Sequence, residues 1–305
     1  MAWHAKGATD EIGRPFQGEI WWYPEAGYGT GTKFSGDFEH SVSSVVEVAR
    51  METGDCNRYY RGIDSVYISK ATKTNTDRTF HIEYLIQADD ELLDYLVDRS
   101  VGTVRSLVFE VGANTDMTNS TYWQMKGCKC KNVEISGSTG EAWKVSADFS
   151  VSSTATATSS YGSAPVTYST TGDICMFNVG ATIQADSNDI AYVTNSFSVS
   201  VNHNVQDLWT VGSREKTNVI ESALDVTGTA DISLDDGGGY HFGDVLDCNA
   251  ATSVVVETSG VSGAPKITLT NVRWDSSSID ISPGNEGMME SAPFTAEQIA
   301  ITTVT

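Results

Sequence analysis

Apolar and polar residues alternate along most of this chain, which is the period of a β-strand with one buried and one solvated face. In residues 196–206, Phe197, Val199 and Val201 alternate with serine and asparagine, and residues 223–234 repeat the alternation. The pattern predicts two long half-polar strands that follow one another across a loop.

The first half of the chain carries counterparts of these strands. Alternation predicts strands at residues 42–50, 78–87 and 143–151. Helical periodicity is rare. Residues 89–99 begin with the acidic run Asp89-Asp90-Glu91 and continue with a leucine stripe, which predicts a capped helix. A shorter helical turn is predicted around residues 240–246.

Both halves present these elements in the same order, which predicts a diverged internal duplication. Identity between the halves is low, so the prediction depends on element order, and chance similarity of two β-rich halves stays open. The matched elements are 42–50 with 197–205, 78–87 with 224–234, helix 89–99 with 238–247, 104–111 with 252–258, and Lys131-Asn132-Val133 with Thr270-Asn271-Val272.

An uncharged tract of serine, threonine, alanine and glycine at residues 152–172 divides the chain almost in half. Such residues bury too little apolar area to offset backbone ordering, which predicts a linker or an extended crossing segment. Residues 1–33, with the run Trp21-Trp22-Tyr23-Pro24, are predicted to form an N-terminal arm whose aromatic side chains dock elsewhere. The sequence therefore predicts one β domain at 34–151 and another at 173–305.

The 305 residues include 40 acidic and 19 basic side chains, for a formal net charge of −21. A surface this acidic repels nucleic-acid phosphates and anionic lipids, which argues against a DNA-reading protein with a basic patch. The composition also fits a halophilic host. No signal-peptide core or membrane-length apolar run occurs, which predicts a soluble chain made in the cytoplasm.

The titratable residues form no recognisable catalytic constellation. The five histidines lie far apart, and none has a metal-binding spacing. Cys128-Lys-Cys130 has the form of half a metal site, but burial of both thiols along a strand is the favoured interpretation because no matching pair occurs elsewhere. The sequence predicts no enzyme and no catalytic, cofactor-binding or metal-binding residues.

The polar phases of the long strands are rich in serine, threonine and asparagine, with some carboxylates and almost no lysine or arginine. The simplest interpretation is the solvated face of an antiparallel sheet. A sharper hypothesis is a channel wall. Four such strands, two from each half, would close with those of neighbouring subunits into a large barrel with a water-filled bore.

Residues 196–236 contain a strand, a loop with Gly212-Ser213-Arg214 and a returning strand around Val226-Thr227-Gly228. This run resembles the tail tube proteins of tailed bacterial and archaeal viruses, and residues 293–299 are similar to the C-terminal end of that family. The resemblance implies a mainly β fold with two tandem tube-like β-sandwich or half-barrel domains, each flanked by a short α-helix.

The resemblance also implies a structural virion protein located in the tail and assembled in the host cytoplasm. Family members with one tube domain form hexameric rings, so two domains per chain imply trimeric rings with pseudo-sixfold symmetry, stacked into a tube for DNA ejection. The implied partners are further copies of the chain, tape measure, baseplate hub and tail terminator proteins, and viral DNA passing without specific binding. No membrane partner or cofactor is implied.

Strand phase and the resemblance together indicate two sets of site residues. The residues predicted to face the lumen are Glu47, Glu83, Asp225, Thr227, Thr229, Asp231, Ser198 and Ser200. Loops 52–62 and 207–220 are predicted to contact the next ring, through Asp55, Arg58, Tyr59, Trp209, Arg214 and Glu215.

Three alternatives stay open at this point. A baseplate hub or distal tail protein can hold two tube-like domains in a trimer, and the inner tube of a contractile injection system has the same wall. The most different alternative is a β-sandwich carbohydrate-binding or adhesion module, for which the candidate stacking residues are Trp21, Trp22, Trp123 and Trp209.

Overall fold

The computed structural model describes residues 18–32, 40–41, 46–54, 57–60, 70–73, 75–99, 104–114, 120–157, 174–177, 181–185, 188–189, 194–233, 250–276, 278–280 and 289–304. These residues form an antiparallel β structure with one short helix. The predicted fold class, mainly β, is confirmed.

The first half contains strands β1 (Gly18–Pro24), β2 (His40–Ser41), β3 (Val46–Thr53), β4 (Asn57–Tyr60), β5 (Lys70–Lys73) and β6 (Arg78–Leu85), helix α1 (Glu91–Val97), and strands β7 (Leu107–Asn114), β8 (Ser120–Ser138), β9 (Lys144–Val151) and β10 (Ser153–Ala157). The second half contains strands β11 (Thr182–Ala185), β12 (Asn188–Asp189), β13 (Thr194–Asn202), β14 (Gln206–Leu208), β15 (Asn218–Ile220), β16 (Asp225–Ser233), β17 (Ala250–Glu257), β18 (Pro265–Trp274), β19 (Ser278–Asp280), β20 (Met289–Ala296) and β21 (Gln298–Thr303).

Each half builds its sheet in the same strand order. In the first half the neighbours run β3, β6, β9, β8, β7 and β1, and β10 also lies beside β8. In the second half they run β13, β16, β20, β18, β17 and β11, and β21 also lies beside β18. The repeated order supports the predicted internal duplication.

Two backbone irregularities recur at matching places and strengthen the match. A β-bulge at Glu47 interrupts the pairing of β3 with β6, and a bulge at Asn195 interrupts that of β13 with β16. Within β8 and β18, Gly127 (φ 63°) and Asn271 (φ 53°) both adopt the left-handed conformation that glycine and asparagine tolerate best.

This alignment corrects one pairing expected from the sequence. Thr270-Asn271-Val272 corresponds to Lys126-Gly127-Cys128, and the predicted match to Lys131-Asn132-Val133 is wrong. Gly127 directly follows the segment of β8 that pairs with β10, the last strand of the first half. Asn271 directly follows the segment of β18 that pairs with β21, the last strand of the second half. Alternation has a period of two residues, so it does not distinguish one apolar position of a strand from the next.

The halves join through a strand pairing. On the edge opposite β16, β13 pairs with β8, from Asn202 opposite Asn132 to Ser196 opposite Ser138. Strand β3, which holds the equivalent place in the first half, pairs only with β6 among the described residues. The sheet of the second half therefore continues that of the first, while β3 lies at an open edge.

One hydrophobic core extends through both halves. Phe80 and Phe149 stack with ring centroids 5.8 Å apart, and in the second half Phe197 and Phe294 stack at 5.6 Å. Trp143 lies 6.4 Å from Phe197, ring centroid to ring centroid, across the joint. Close packing of large rings at the joint ties the two halves together.

Helix α1 is shorter than the predicted span of 89–99. Its N-cap is Asp90, whose side chain accepts a hydrogen bond from the Leu93 N–H at 3.2 Å. Asp98 has an extended backbone and ends the helix, so Arg99 lies beyond it and donates to the Ser222 carbonyl. The helical turn predicted at 240–246 lies outside the described residues. None of the described helical structure is long and apolar enough to span a membrane.

Two segments predicted to lie outside the domains belong to the sheet. Strand β1, from the predicted arm, pairs along its whole length with β7 and buries Trp22. Strand β10, from the start of the predicted linker, pairs with residues 122–126 of β8. Both segments complete a sheet edge, so backbone hydrogen bonds hold them despite their irregular composition. The rest of the linker, 158–172, lies outside the described residues, and the division into two domains stays a prediction.

Candidate functional site: the polar sheet face and its hairpin

Strands β3, β6, β9, β8, β13 and β16 lie side by side and present one continuous polar face. On β6, β13 and β16 this face alternates with buried residues that pack into the core. The structure places every residue predicted to face the lumen on this face, each at least partly exposed: Glu47, Glu83, Ser198, Ser200, Asp225, Thr227, Thr229 and Asp231.

Paired charges cover the first-half part of the face. The Lys144 ammonium lies 2.7 Å from Glu47 and 2.8 Å from Glu83, and His81 lies 3.1 Å from Glu83 and 2.8 Å from Asp148. Hydrogen bonds from Lys144 and His81 hold the pKa of Glu83 below its ordinary value. The two carboxylates in turn raise the pKa of Lys144. The cation is thereby fully engaged by its own chain.

Hydroxyl, amide and carboxylate groups cover the second-half part of the face, and neither β13 nor β16 contains lysine or arginine. Its side chains bond to one another across the strands. These hydrogen bonds are Ser196–Asp231 at 2.6 Å, Ser198–Thr229 at 2.9 Å and Asn204–Asp225 at 2.6 Å. This part of the face is acidic and polar.

The chemistry of the whole face disfavours phosphate binding. Proteins hold phosphates chiefly through lysine and arginine contacts. Here Lys144 pairs with carboxylates, Lys131 lies 3.7 Å from Asp207, and Arg50 lies 3.1 Å from Glu52. Since each of these cations lies beside a carboxylate, and carboxylates outnumber cations among the described residues of the face, the face repels a polyanion more than it binds one.

The hairpin β14–β15, which connects β13 to β16, docks on the first half through a buried lysine. The Lys216 side chain is 0% exposed, and its ammonium lies 2.6 Å from Asp77 and 3.0 Å from Asp207. It also donates to the Ser150 hydroxyl at 2.8 Å and the Arg78 carbonyl at 3.0 Å. Although burial favours the protonated acid, hydrogen bonds from Ser150 and Lys216 hold the pKa of Asp207 below its ordinary value.

A second buried ion pair fixes the base of the same hairpin. The Lys129 ammonium lies 2.5 Å from Glu221 and donates to the Val219 carbonyl at 3.0 Å. Both side chains are largely buried. With its base held at Lys129 and its returning arm held at Lys216, the hairpin leaves its tip exposed, where Val211 is fully accessible to solvent.

The residues predicted to contact the next ring lie in different settings. Trp209 is half-buried, with the Lys216 ammonium 5.9 Å from its ring centroid, and Glu215 lies 3.6 Å from Arg78 of its own chain. Arg214 is exposed, and its carbonyl accepts a hydrogen bond from the Thr76 N–H. In the other predicted loop, Arg58 and Tyr59 belong to β4, which pairs with β5, while Asp55 lies outside the described residues.

A family model described as phage tail tube protein matches residues 24–296. The chain belongs to the phage tail tube protein family. None of the curated proteins matches it. Membership confirms the resemblance expected from residues 196–236, and the match extends across both halves. Membership of this family makes the chain a structural protein of the virion tail that self-assembles into a tube with other tail proteins.

Two of the candidate stacking tryptophans and both thiols of Cys128-Lys-Cys130 are buried in this tail tube protein. Trp21 and Trp22 are buried in the core, which removes them from any ligand-stacking platform. Cys128 and Cys130 are buried free thiols, and burial raises the pKa of both. Their burial agrees with the strand interpretation of Cys128-Lys-Cys130.

Sequence reasoning missed Lys129 and Lys216, which attach the hairpin of this tail tube protein. Lys216 contacts Ser150, which is 66 positions away in the sequence, and Lys129 contacts Glu221, which is 92 positions away. Lys129 stands between the two cysteines of Cys128-Lys-Cys130 and Lys216 stands in no local motif, and a buried lysine is rare enough that composition predicts an exposed one. No sequence signal identifies these anchors before the halves are brought together.

Proposed function

We propose that the chain polymerises as stacked trimeric rings with pseudo-sixfold symmetry, which form the channel for genome ejection. The observation that carries the proposal is the repeated strand order, with one half joined to the other through β8 and β13 while the same edge of β3 has no partner among the described residues. A repeated unit that leaves this edge open suits head-to-tail contacts that close into a ring. Three copies supply six equivalent units.

In this assembly the polar sheet face lines the lumen, with Glu83 and Asp225 among the wall residues. Lumenal carboxylates and hydroxyls keep the wall hydrated and repel phosphates, so DNA slides without being held. The paired state of Lys144 supports this role because its ammonium is bound to Glu47 and Glu83 of its own chain.

The exposed tip of the β14–β15 hairpin contacts the next ring. Anchoring by Lys216 gives the hairpin a fixed direction, and the exposed Val211 supplies an apolar group for the contact. Axial contacts of this kind do not close, so they extend the stack into a filament. The ends of the tube meet tail terminator and baseplate hub proteins. The tape measure protein occupies the lumen during assembly in the host cytoplasm. In this function the chain needs no membrane, cofactor or catalytic residue.

Electron microscopy of the purified chain tests the proposal. We expect tubes of constant bore whose rings contain three chains and six similar units, with Glu83 and Asp225 lining the bore. Six chains per ring would contradict the trimer, and wall residues buried between rings would contradict the lumen assignment. Closed trimers that never stack would favour a baseplate hub, and monomers would favour a binding module.

A further inference from the structure

Strands β3 and β19 each have an edge without a hydrogen-bonded neighbour among the described residues. Strand β3 pairs only with β6, and β19 pairs only with β20. Met51 of β3 stands opposite the core residue Phe80, yet it is 38% exposed. An open edge with an uncovered apolar residue is a template for another strand.

The chain already contains a completed version of this joint. Strand β13, the equivalent of β3, pairs with β8, where Val199 lies opposite Ile135 and Ser200 lies opposite Glu134. Both Val199 and Ile135 are fully buried. The internal joint therefore indicates which strand would pair with the open edge of β3. It is the segment of the second half that is equivalent to this part of β8.

The two bulges align β3 with β13 residue by residue. Val46 and Thr194 precede the bulges, and each pairs with the strand that returns from the loop. Counting onward from the bulges, Met51 corresponds to Val199, and its neighbours Arg50 and Glu52 correspond to Ser198 and Ser200.

The same count identifies β19 as the equivalent of residues 134–136. Because β9 pairs with β6 and β20 pairs with β16, the count along β6 and β16 makes Phe149 of β9 equivalent to Phe294 of β20. Counting back three residues along β9 and β20 makes Ser146 equivalent to Ser291. Ser146 pairs with Glu134 of β8, and Ser291 pairs with Ser278 of β19. Ser278, Ile279 and Asp280 thus hold the places of Glu134, Ile135 and Ser136.

We propose that neighbouring copies of the chain join by antiparallel pairing of β3 from one copy with β19 from the next. The register places Arg50 opposite Asp280, Met51 opposite Ile279 and Glu52 opposite Ser278. The inference rests on the proposed ring and deepens it by naming the two edges and their register.

The residue types at this joint are complementary. Arg50 and Asp280 carry opposite charges at a place where the internal joint pairs Ser198 with Ser136. Opposite charges across neighbouring strands stabilise a sheet, and like charges destabilise it. Met51 and Ile279 are both apolar, as are Val199 and Ile135. Pairing therefore covers Met51, which is 38% exposed in the single chain.

A disulfide test reads the register directly. The variant Glu52→Cys/Ser278→Cys is assembled, oxidised and separated on a non-reducing gel. Residues opposite each other in an antiparallel pair have Cα atoms about 4.5–5.5 Å apart, within the range of a disulfide. We expect covalent dimers and trimers that revert to monomers on reduction. Each single-cysteine variant shows the background from the native thiols.

A matched control moves one cysteine out of register along the same strand. In Val48→Cys/Ser278→Cys the two positions are displaced by about 13 Å at roughly 3.3 Å per residue, too far for a disulfide. We expect no covalent oligomers above background from this pair.

The outcomes separate this inference from the proposed function. If the unsubstituted chain forms tubes but the Glu52/Ser278 pair gives no covalent oligomers, or no more than the control, the strand assignment is wrong and the tube stands. If the unsubstituted chain forms neither rings nor tubes, the proposed function fails and the joint fails with it.

Charge exchange provides a second test if the cysteine variants do not assemble. Arg50→Asp and Asp280→Arg each place like charges across the joint, and we expect each to raise the critical concentration for assembly about two- to fivefold. The combined variant restores opposite charges and assembles close to the level of the unsubstituted chain. A combined variant that assembles no better than either single one overturns the pairing.

Discussion

The strand pairs β3–β6 and β13–β16 share alternation, register and a bulge at the same place, but they differ in what lies beside them. Strand β13 is paired on both edges, and its Val199 is fully buried. Among the described residues, strand β3 is paired on one edge, and its Met51 is 38% exposed. The alternation decides which face each residue occupies, whereas the neighbouring strand decides how deeply the residue is buried.

The polar faces of the two pairs differ in a second way. The first-half face contains an ion-paired lysine and a histidine, whereas hydroxyls and carboxylates bonded across the strands cover the second-half face. Two different compositions therefore give the same property, a polar face on which the described cations lie beside carboxylates. The two halves share this acidic, polar character, while the side chains that produce it differ.

The largest expected effect comes from placing a carboxylate at equivalent positions of β13 and β3. Val199→Asp buries an unpaired carboxylate, and we expect it to reduce the free energy of unfolding by about 3–5 kcal/mol or to prevent folding. Met51→Asp places the same group at an open edge, so we expect a change of less than about 0.5 kcal/mol in the single chain.

Urea unfolding measures both variants, and sedimentation then measures tube assembly of the folded one. We expect Met51→Asp to fold normally and assemble poorly, because its carboxylate would be buried only in the assembled joint. Equal loss of folding stability in both variants would remove the distinction between a completed and an open strand pair.

The next largest effect concerns the hairpin that the second half places on the first. Lys216→Met leaves the largely buried Asp207 with only the more distant Lys131 ammonium, at 3.7 Å, and breaking a buried pair in this way costs about 3–5 kcal/mol. The matched control is Lys266→Met, because Lys266 makes a similar contact with Glu257 at 2.8 Å but is 35% exposed. We expect the control to cost less than about 1 kcal/mol.

The two lysine variants are compared through their urea midpoints at neutral pH. If Lys216→Met is no more destabilising than Lys266→Met, the hairpin is not anchored by its buried ion pairs. In that case, the hairpin of the second half would be held no more firmly than an ordinary surface loop.

These comparisons show how far the sequence determined the structure. Alternation located the long strands to within a few residues and placed Glu83 and Asp225 on one polar face, because face selection is local. Strand β1 escaped notice because its consecutive aromatic residues do not alternate. The anchor Lys216 and the joint between β8 and β13 depend on residues far apart in the sequence, and no local pattern encodes such contacts.

The smallest expected effect tests whether the charges of the first-half face contribute to folding. Contacts with Lys144 and His81 lower the pKa of Glu83 below its ordinary value of 4.5, so the folded chain favours the ionised carboxylate. Its contribution to stability is therefore present above pH 4.5 and lost as the pH falls through the lowered pKa. Because the groups are partly exposed, we expect Lys144→Gln to cost about 0.2–1 kcal/mol at neutral pH and less in acid.

Chemical denaturation of Lys144→Gln across this pH range, with Arg50→Gln as a control for a more exposed ion pair, measures the difference between the variants. A loss of stability that stays the same in acid would show that Lys144 acts through packing of its aliphatic chain. A loss that fades in acid would show that the first-half face is stabilised by its charges, while the second-half face, without lysine or arginine on β13 and β16, depends on hydroxyl and amide hydrogen bonds across its strands.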